Sequence, residues 1–416
     1  MAPRIVIVGA SLAGATAAAT LREEGFDGDL RLIGAEPELP YNRPPLSKGY
    51  LRQQERFEDQ LVKPAAFYAE QRIELTLGTR ATAIDTAQRV VVLAGGKRVA
   101  YDRLLVTTGS RHRTLSVPGA SLPGVFQLRT VEECDRIRAA TRRARRAVVI
   151  GLGFIGCEVA ASLRQLGIEV AAVAGARGPL ARVLGDQVGQ VLGDIHRDNG
   201  VELLLEDAVV ALEGADRVER VRTRQGRILE CDMVVAGIGI VPSTELLAAA
   251  GAEIEDGVLV DERCRTSLPD VFAAGDVTNH LHPIFGRLRV EHWNNAYRQG
   301  QAAARSLLGA EHPYDYVHTF WSDQYEHVLE YVGFARSWDQ LVFRGRPEGR
   351  AFLAFYLEGG VLKAVAGLDR GGDPEDPRGT GELAAAVSLI RRRVRLDPAR
   401  LADEQVDLRR LVVTTT

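Results

Sequence analysis

"VIVGASLAGA", residues 6–15, is the stretch on which the fold of this chain turns. It continues the β-branched run begun at Arg4 and leads into "AGATAAATLREEG", an alanine-rich segment of good helix propensity that Gly25 stops. "DLRLIGAE", residues 29–36, then reads as a second strand ending on an acid. Strand, glycine loop, helix, strand, acid is the order of a βαβ unit that seats a dinucleotide. The loop departs from Gly-x-Gly-x-x-Gly in one place, where Ser11 stands between Gly9 and Gly14. In such a loop the first glycine makes the tight turn, the second lets the backbone approach a pyrophosphate, and the third lets helix and strand pack closely. The middle position demands small size. Serine adds only a hydroxymethyl group, and its hydroxyl can donate to a phosphate oxygen held at the positive end of the helix. A working pyrophosphate site is expected, with Glu36, 22 residues beyond Gly14, accepting hydrogen bonds from an adenosine ribose.

The pattern recurs. "RRAVVIGLGFIGCEVAASLRQLGIEVAAVAG", residues 145–175, repeats strand, loop, helix and strand, here with the complete fingerprint of Gly151, Gly153 and Gly156. Two such units in one chain imply two dinucleotide sites. "LECDMVVAGIGIVPSTELL" (229–247) reads as a buried strand meeting a glycine-rich turn. From about residue 321 the texture changes to alternating aromatic and β-branched segments with a hairpin turn at Glu358-Gly359-Gly360. "DRGGDPEDPRGTGE" (369–382) reads as a flexible surface loop and "LAAAVSLIRRRV" as a helix, so a separate C-terminal α+β domain is expected.

Composition narrows the function classes. A chain of 416 residues is long enough for two or three domains. A net charge of −3 gives no reason to expect a nucleic-acid partner. No apolar run approaches the roughly 18 residues of a membrane span, and no secretory leader is evident, so a cytoplasmic protein off the membrane is expected. Cys134, Cys157, Cys231 and Cys264 are widely separated, which argues against a zinc ribbon, a cysteine-ligated cluster and a redox-active dithiol. They read as buried or incidental thiols. The eight histidines show no ligand spacing, and no metal is expected.

"TSLPDVFAAGDV" (266–277) resembles the second FAD motif of the two-dinucleotide-domain flavoprotein reductases, whose aspartate, here Asp276, holds the flavin's ribitol chain. "LLVTTGS" (104–110) is similar to another segment of that FAD half. "YNRPPLSKGYL" (41–51) is sharper: it resembles a box of the FAD-dependent ferredoxin and rubredoxin reductases that serve oxygenases, the putidaredoxin-reductase type. "GLGFIGCEVA", "AGIGIVPSTELL", "VEHWNNA" (290–296) and "FWSDQY" (320–325) extend the resemblance over essentially the whole chain.

The resemblance implies an α/β fold of two doubly wound dinucleotide domains plus the C-terminal α+β domain. The FAD domain (1–113 and 242–320) would be split around the NAD(P) domain (114–241), with residues 321–416 following. It implies FAD and NAD(P)H as cofactors and a [2Fe–2S] ferredoxin or a rubredoxin as partner, feeding a haem or Rieske oxygenase. Lys48 would sit beside the flavin near the atom that receives the hydride, where a fixed cation stabilises developing negative charge. Glu158 would approach the nicotinamide and pair with Lys48. Arg43 and Arg129 would contact the cofactor, Asp276 and Trp293 would lie along the ribitol and isoalloxazine, and Ala13, Ala81, Ile155 and Gly239 would complete the cofactor contacts. Trp321 and Trp293 are aromatic candidates near the electron exit. Where the family often places a ribose-binding glutamate, this chain has Ala174, followed by Arg177 and Arg182. Losing an acid and gaining arginine is the logic of 2′-phosphate acceptance, so NADPH or dual use is favoured.

"RIRAATRRARR" (136–146) carries six arginines, either a solvated helix face or a docking patch for an acidic ferredoxin, and Arg391–Arg393 could serve likewise. The first cysteine follows the FAD unit, so no thiol relay stands beside the flavin and electrons should leave it directly. Two other readings are a small-molecule reductase acting on monodehydroascorbate or quinone, and a redox-sensing flavoprotein like apoptosis-inducing factor. The expected assembly is a monomer or weak dimer.

Overall fold

The computed structural model describes residues 3–376 and 378–412. The chain divides into two compact units, one of residues 1–42, 57–111 and 240–316, the other of residues 43–56, 112–239 and 317–416.

The first unit is built on a five-stranded parallel sheet. Its order across the sheet is Val271–Ala273, Arg103–Val106, Arg4–Val8, Asp29–Ile33, Ile73–Thr76. The central strand pairs in parallel on both sides, Ile7 with Leu32 and with Leu105. Successive side chains from Ile5 to Val8 are buried, so both faces of this strand are covered, which is why it reads as a continuous apolar run without alternation. The Leu12–Glu23 helix is buried from Leu12 to Leu21, so its small residues are a packing requirement as well as a propensity. It lies against the Trp293–Leu307 helix so tightly that a Cβ on Gly300 would stand 2.6 Å from the Ala13 carbonyl oxygen. The second strand ends at Ile33, earlier than the sequence suggests, and Glu36 stands in the loop beyond it.

The second unit repeats the topology. Its parallel sheet runs Val201–Leu205, Glu169–Ala174, Arg146–Ile150, Met233–Ala236, Val125–Phe126. Val149 pairs with Ala172 and with Val235. The Phe154–Gln165 helix follows the central strand. The same unit carries a five-stranded antiparallel sheet ordered Thr319–Gln324, His327–Gly333, Val361–Leu368, Ala351–Glu358, Gln340–Arg346. Gly359 and Gly360 close its hairpin with φ of +57° and +78°, the left-handed pair a two-residue turn requires. The Glu382–Arg392 helix forms where the sequence places one.

The described residues of 369–381 form no regular secondary structure, yet the stretch is tied down at both ends. Asp369 accepts from His327 and from the Val328 amide, and Glu382 binds both Arg370 and Arg344. These bonds anchor the two ends of the surface loop that composition suggests. Pro377 lies outside the described residues.

Candidate functional site

The first glycine loop is made by close approaches. A Cβ on Gly9, at φ +119°, would fall 2.2 Å from the Thr107 carbonyl oxygen, and one on Gly14 would fall 2.0 Å from the Gly9 carbonyl oxygen. Ser11 is the N-cap of the Leu12–Glu23 helix, but its side chain makes no capping bond, and the first turn holds no acidic residue. The helix end thus keeps its positive partial charge uncompensated, which suits an anion. At the same carboxyl edge of the sheet, Gly275 (φ +81°) turns the chain after the Val271–Ala273 strand. The Gly275 amide donates to Gln299 Oε1 at 2.8 Å, and Asp276 accepts from Ser110 Oγ at 3.0 Å. Trp293 opens its helix, donates from Nε1 to Asn42 Oδ1 at 2.7 Å and stacks on Tyr297.

The second loop has the same construction. A Cβ on Gly156 would stand 1.9 Å from the Gly151 carbonyl oxygen, and one on Gly151 would stand 2.4 Å from that of Gly237. Gly153 differs: nothing lies within 4 Å of the position a Cβ would take. The middle glycine therefore leaves open space where the helix begins, which is the room a pyrophosphate needs.

One turn into this helix, Glu158 is only 4% exposed, and Lys48 Nζ lies 2.8 Å from its Oε2. Two hydroxyls complete the carboxylate's shell. Ser47 Oγ donates to Oε2 at 2.5 Å, and Ser322 Oγ, on the first strand of the antiparallel sheet, donates to Oε1 at 2.7 Å. Gln324 donates in turn to Ser322. Three donors thus meet one buried carboxylate, which fixes an ammonium group that is itself 11% exposed. The carboxylate can hold the Lys48 ammonium in one place in a site largely closed to water.

Residues 3–300 match the pyridine nucleotide-disulphide oxidoreductase family and residues 319–412 the reductase C-terminal family. The chain is 40% identical to the 5,5′-dehydrodivanillate O-demethylase ferredoxin reductase subunit of Sphingobium sp., over 98% of this chain and 97% of that one. It is 37% identical to rhodocoxin reductase of Rhodococcus erythropolis, over 97% of this chain and 93% of the relative. A solved covalent putidaredoxin reductase–putidaredoxin complex superposes with a TM-score of 0.92 at 33% identity, covering 99% of this chain and 98% of that one. The chain belongs to the pyridine nucleotide-disulphide oxidoreductases, among the ferredoxin reductases.

As a member of that family this reductase uses FAD and NAD(P)H. The residues present fit both. Each glycine loop has its tight first and third positions, and Ser11 and Gly153 fill the middle positions with small residues. The disulphide chemistry in the family's name has no counterpart here. All four cysteines are unpaired and buried, and burial pushes the Cys134 and Cys231 thiols up to about 12 and those of Cys157 and Cys264 up as well. None is a thiolate at neutral pH.

The other expected residues fall into place unevenly. Glu36 accepts from the Tyr41 hydroxyl at 2.5 Å. Arg43 donates to the Arg129 carbonyl at 2.5 Å, and the Arg129 amide donates to Glu133. Ile155, in the first turn of the Phe154–Gln165 helix, is 40% exposed. Gly239, at φ +97°, accepts from the Arg113 amide. Ala81 packs against the apolar cluster around Val6 and Val91. Arg177 and Arg182 are both exposed beyond the Glu169–Ala174 strand, and Trp321 is half-buried on the strand that carries Ser322. Sequence reasoning missed Ser47, Ser322, Thr107 and Gln299. Ser47 and Ser322 lie inside the quoted boxes, but a serine gives no sign of which carboxylate its hydroxyl will meet.

Among the described residues no helix is long and apolar enough to cross a membrane.

Proposed function

We propose that this reductase passes electrons from NAD(P)H through FAD to a [2Fe–2S] ferredoxin, or a rubredoxin, that supplies a haem or Rieske oxygenase. The observation that carries the reading is the state of the thiols. With all four cysteines buried and protonated, the chain holds no dithiol relay, so an electron taken from the nicotinamide has to leave from the flavin. FAD supplies the step between carriers: it takes two electrons at once and releases them singly, which suits a one-electron iron–sulfur acceptor. The likeness to ferredoxin reductase subunits along nearly the full chain supports the same partner class.

The residues divide the work. Lys48 provides the fixed cation that stabilises negative charge developing on the flavin ring, and Glu158 holds Lys48 in position on the nicotinamide side. Gly9, Ser11 and Gly14 seat the FAD pyrophosphate, Glu36 its ribose and Asp276 its ribitol chain, while Gly151, Gly153 and Gly156 seat that of the nicotinamide nucleotide. Arg43, Arg129 and Trp293 make further flavin contacts. In domain terms, residues 1–113 and 242–320 bind FAD, 114–241 bind NAD(P), and 321–416 form the C-terminal domain. The protein works in the cytoplasm as a monomer or weak dimer.

Anaerobic mixing tests the reading. One equivalent of NADH should bleach the flavin of the purified enzyme, and subsequent addition of an oxidised [2Fe–2S] ferredoxin should restore the yellow absorbance as two ferredoxins are reduced. Flavin that stays reduced while quinone reoxidises it rapidly would assign the enzyme to small-molecule reduction instead.

A further inference from the structure

A ribose 2′-hydroxyl of NAD(H) is normally received by an acid at the end of the second strand of a dinucleotide unit, and here that position is Ala174. Arg177 follows three residues later, and the two together read as a 2′-phosphate site. The structure surrounds Arg177 with carboxylates. Its Nε lies 3.4 Å from Glu206 Oε1 and its Nη1 3.4 Å from Asp186 Oδ2.

Glu206 arrives from the neighbouring strand. Ala174 pairs with Leu205, and Glu206 is the next residue, so it occupies the same carboxyl edge of the sheet as the missing acid. Its backbone is fixed there. The Glu206 amide donates to the Ala176 carbonyl and the Asp207 amide to the Ala174 carbonyl, each at 3.1 Å. To reach this place Glu206 takes φ +55°, the left-handed region a glutamate rarely adopts. Asp186 comes from the Ala181–Asp198 helix, one residue past its break at Gly185 (φ +82°).

Charge then decides between the two nucleotides. One guanidinium lies against two carboxylates, and adding Arg182, exposed one turn before Asp186, brings the four side chains to a sum of zero. A 2′-phosphate dianion would have to displace both carboxylates from Arg177 and meet their repulsion. A ribose diol would instead donate to a carboxylate already oriented by Arg177.

We propose that Glu206 takes over the ribose-recognising role absent at Ala174, with Arg177 as its positioning partner and Asp186 adding discrimination, so that NAD(H) is the preferred nucleotide. The proposal rests on the reading of residues 145–175 as the nicotinamide nucleotide site. Its test uses the FAD-loaded enzyme with ferricyanide as acceptor, so that no carrier protein enters, and calorimetric titration with NAD⁺ and NADP⁺. The wild type should favour NADH over NADPH in kcat/KM by about 10-fold or more, because a carboxylate that accepts the ribose hydroxyls and repels a 2′-phosphate discriminates at least that well. Glu206→Gln should lower kcat/KM for NADH and raise it for NADPH, Glu206→Gln with Asp186→Asn should bring the two level, and the dissociation constants should move in parallel. A wild type that prefers NADPH, or a Glu206→Gln change equal for both nucleotides, would overturn the selectivity claim while leaving the site in place. An enzyme that binds neither nucleotide would overturn the site reading and the proposal together.

Discussion

Gly153 and Gly156 stand three residues apart in one loop and meet opposite surroundings. The third glycine has a carbonyl oxygen 1.9 Å from where a Cβ would go; the middle one has nothing within 4 Å and an ordinary negative φ of −79°. Gly153→Ala should therefore leave the melting temperature unchanged and raise the KM for NADH by about 10-fold, since only the nucleotide meets the added methyl. Gly156→Ala should instead destabilise the fold. Equal melting-temperature losses in the two variants would contradict this assignment. The Lys48–Glu158 pair gives a second residue-scale expectation. Lys48→Met removes the cation and leaves Glu158 buried without its charge partner, so flavin reduction by NADH in stopped flow should slow by about 100-fold. An unchanged rate would remove Lys48 from the chemistry. The glycines were legible because a steric demand excludes other residue types. The hydroxyls of Ser47 and Ser322 were not, because their partner is 111 and 164 residues away in sequence.

Strands and helices were legible where burial imposes a period or a continuous run, as in "RIVIV" and its counterpart "RAVVI". Ends were less so. The second strand stops at Ile33, where the Gly34 amide makes the last ladder bond to the Thr76 carbonyl, and no residue type announces that end. The Thr319–Gln324 strand shows what an element can carry on its two faces. Buried Ser322 reaches Glu158, while Trp321 pairs across the strands with Glu330. Ser322→Ala should slow flavin reduction, as Glu158 loses a donor that holds it against Lys48, and Ser322→Thr should restore the rate. A flavin-reduction rate equal to the wild type's in Ser322→Ala would make Ser322 merely structural. On the same pair of strands, burial, reinforced by Asp373 and Asp323, pushes the Glu330 carboxyl up to about 7. The folded state thus holds this proton more tightly than the unfolded state does. Its contribution is present below the ordinary carboxylate range and is lost as pH rises through about 7. Glu330→Gln should match the wild type in melting temperature at pH 5 and exceed it by about 1–2 °C at pH 8; a difference independent of pH would contradict the linkage.

Over the whole molecule, the repeat of the βαβ unit and the shift to antiparallel texture near residue 321 could be read directly. The placement of residues 43–56 could not. This segment is continuous in sequence with the first unit but packs in the second, where Lys48 finds Glu158. Only tertiary contacts decide that. The arginine run is another whole-molecule feature. Arg136 and Arg138 pair with Glu132 and Asp135 on their own helix and Arg146 pairs with Glu230, while Arg142, Arg143 and Arg145 are exposed. If these steer an acidic carrier, Arg142→Glu with Arg143→Glu should cut carrier-dependent turnover by about 10-fold at low salt, less at high salt, and leave ferricyanide reduction alone. A loss insensitive to salt would place docking elsewhere. The most direct test of the electron-transfer role is cytochrome c reduction by the FAD-loaded enzyme with NADH, in the presence and absence of [2Fe–2S] ferredoxins. A large ferredoxin-dependent increase is predicted. Fast turnover of quinone or ascorbyl radical by the same preparation, with no increase from any ferredoxin, would contradict the account.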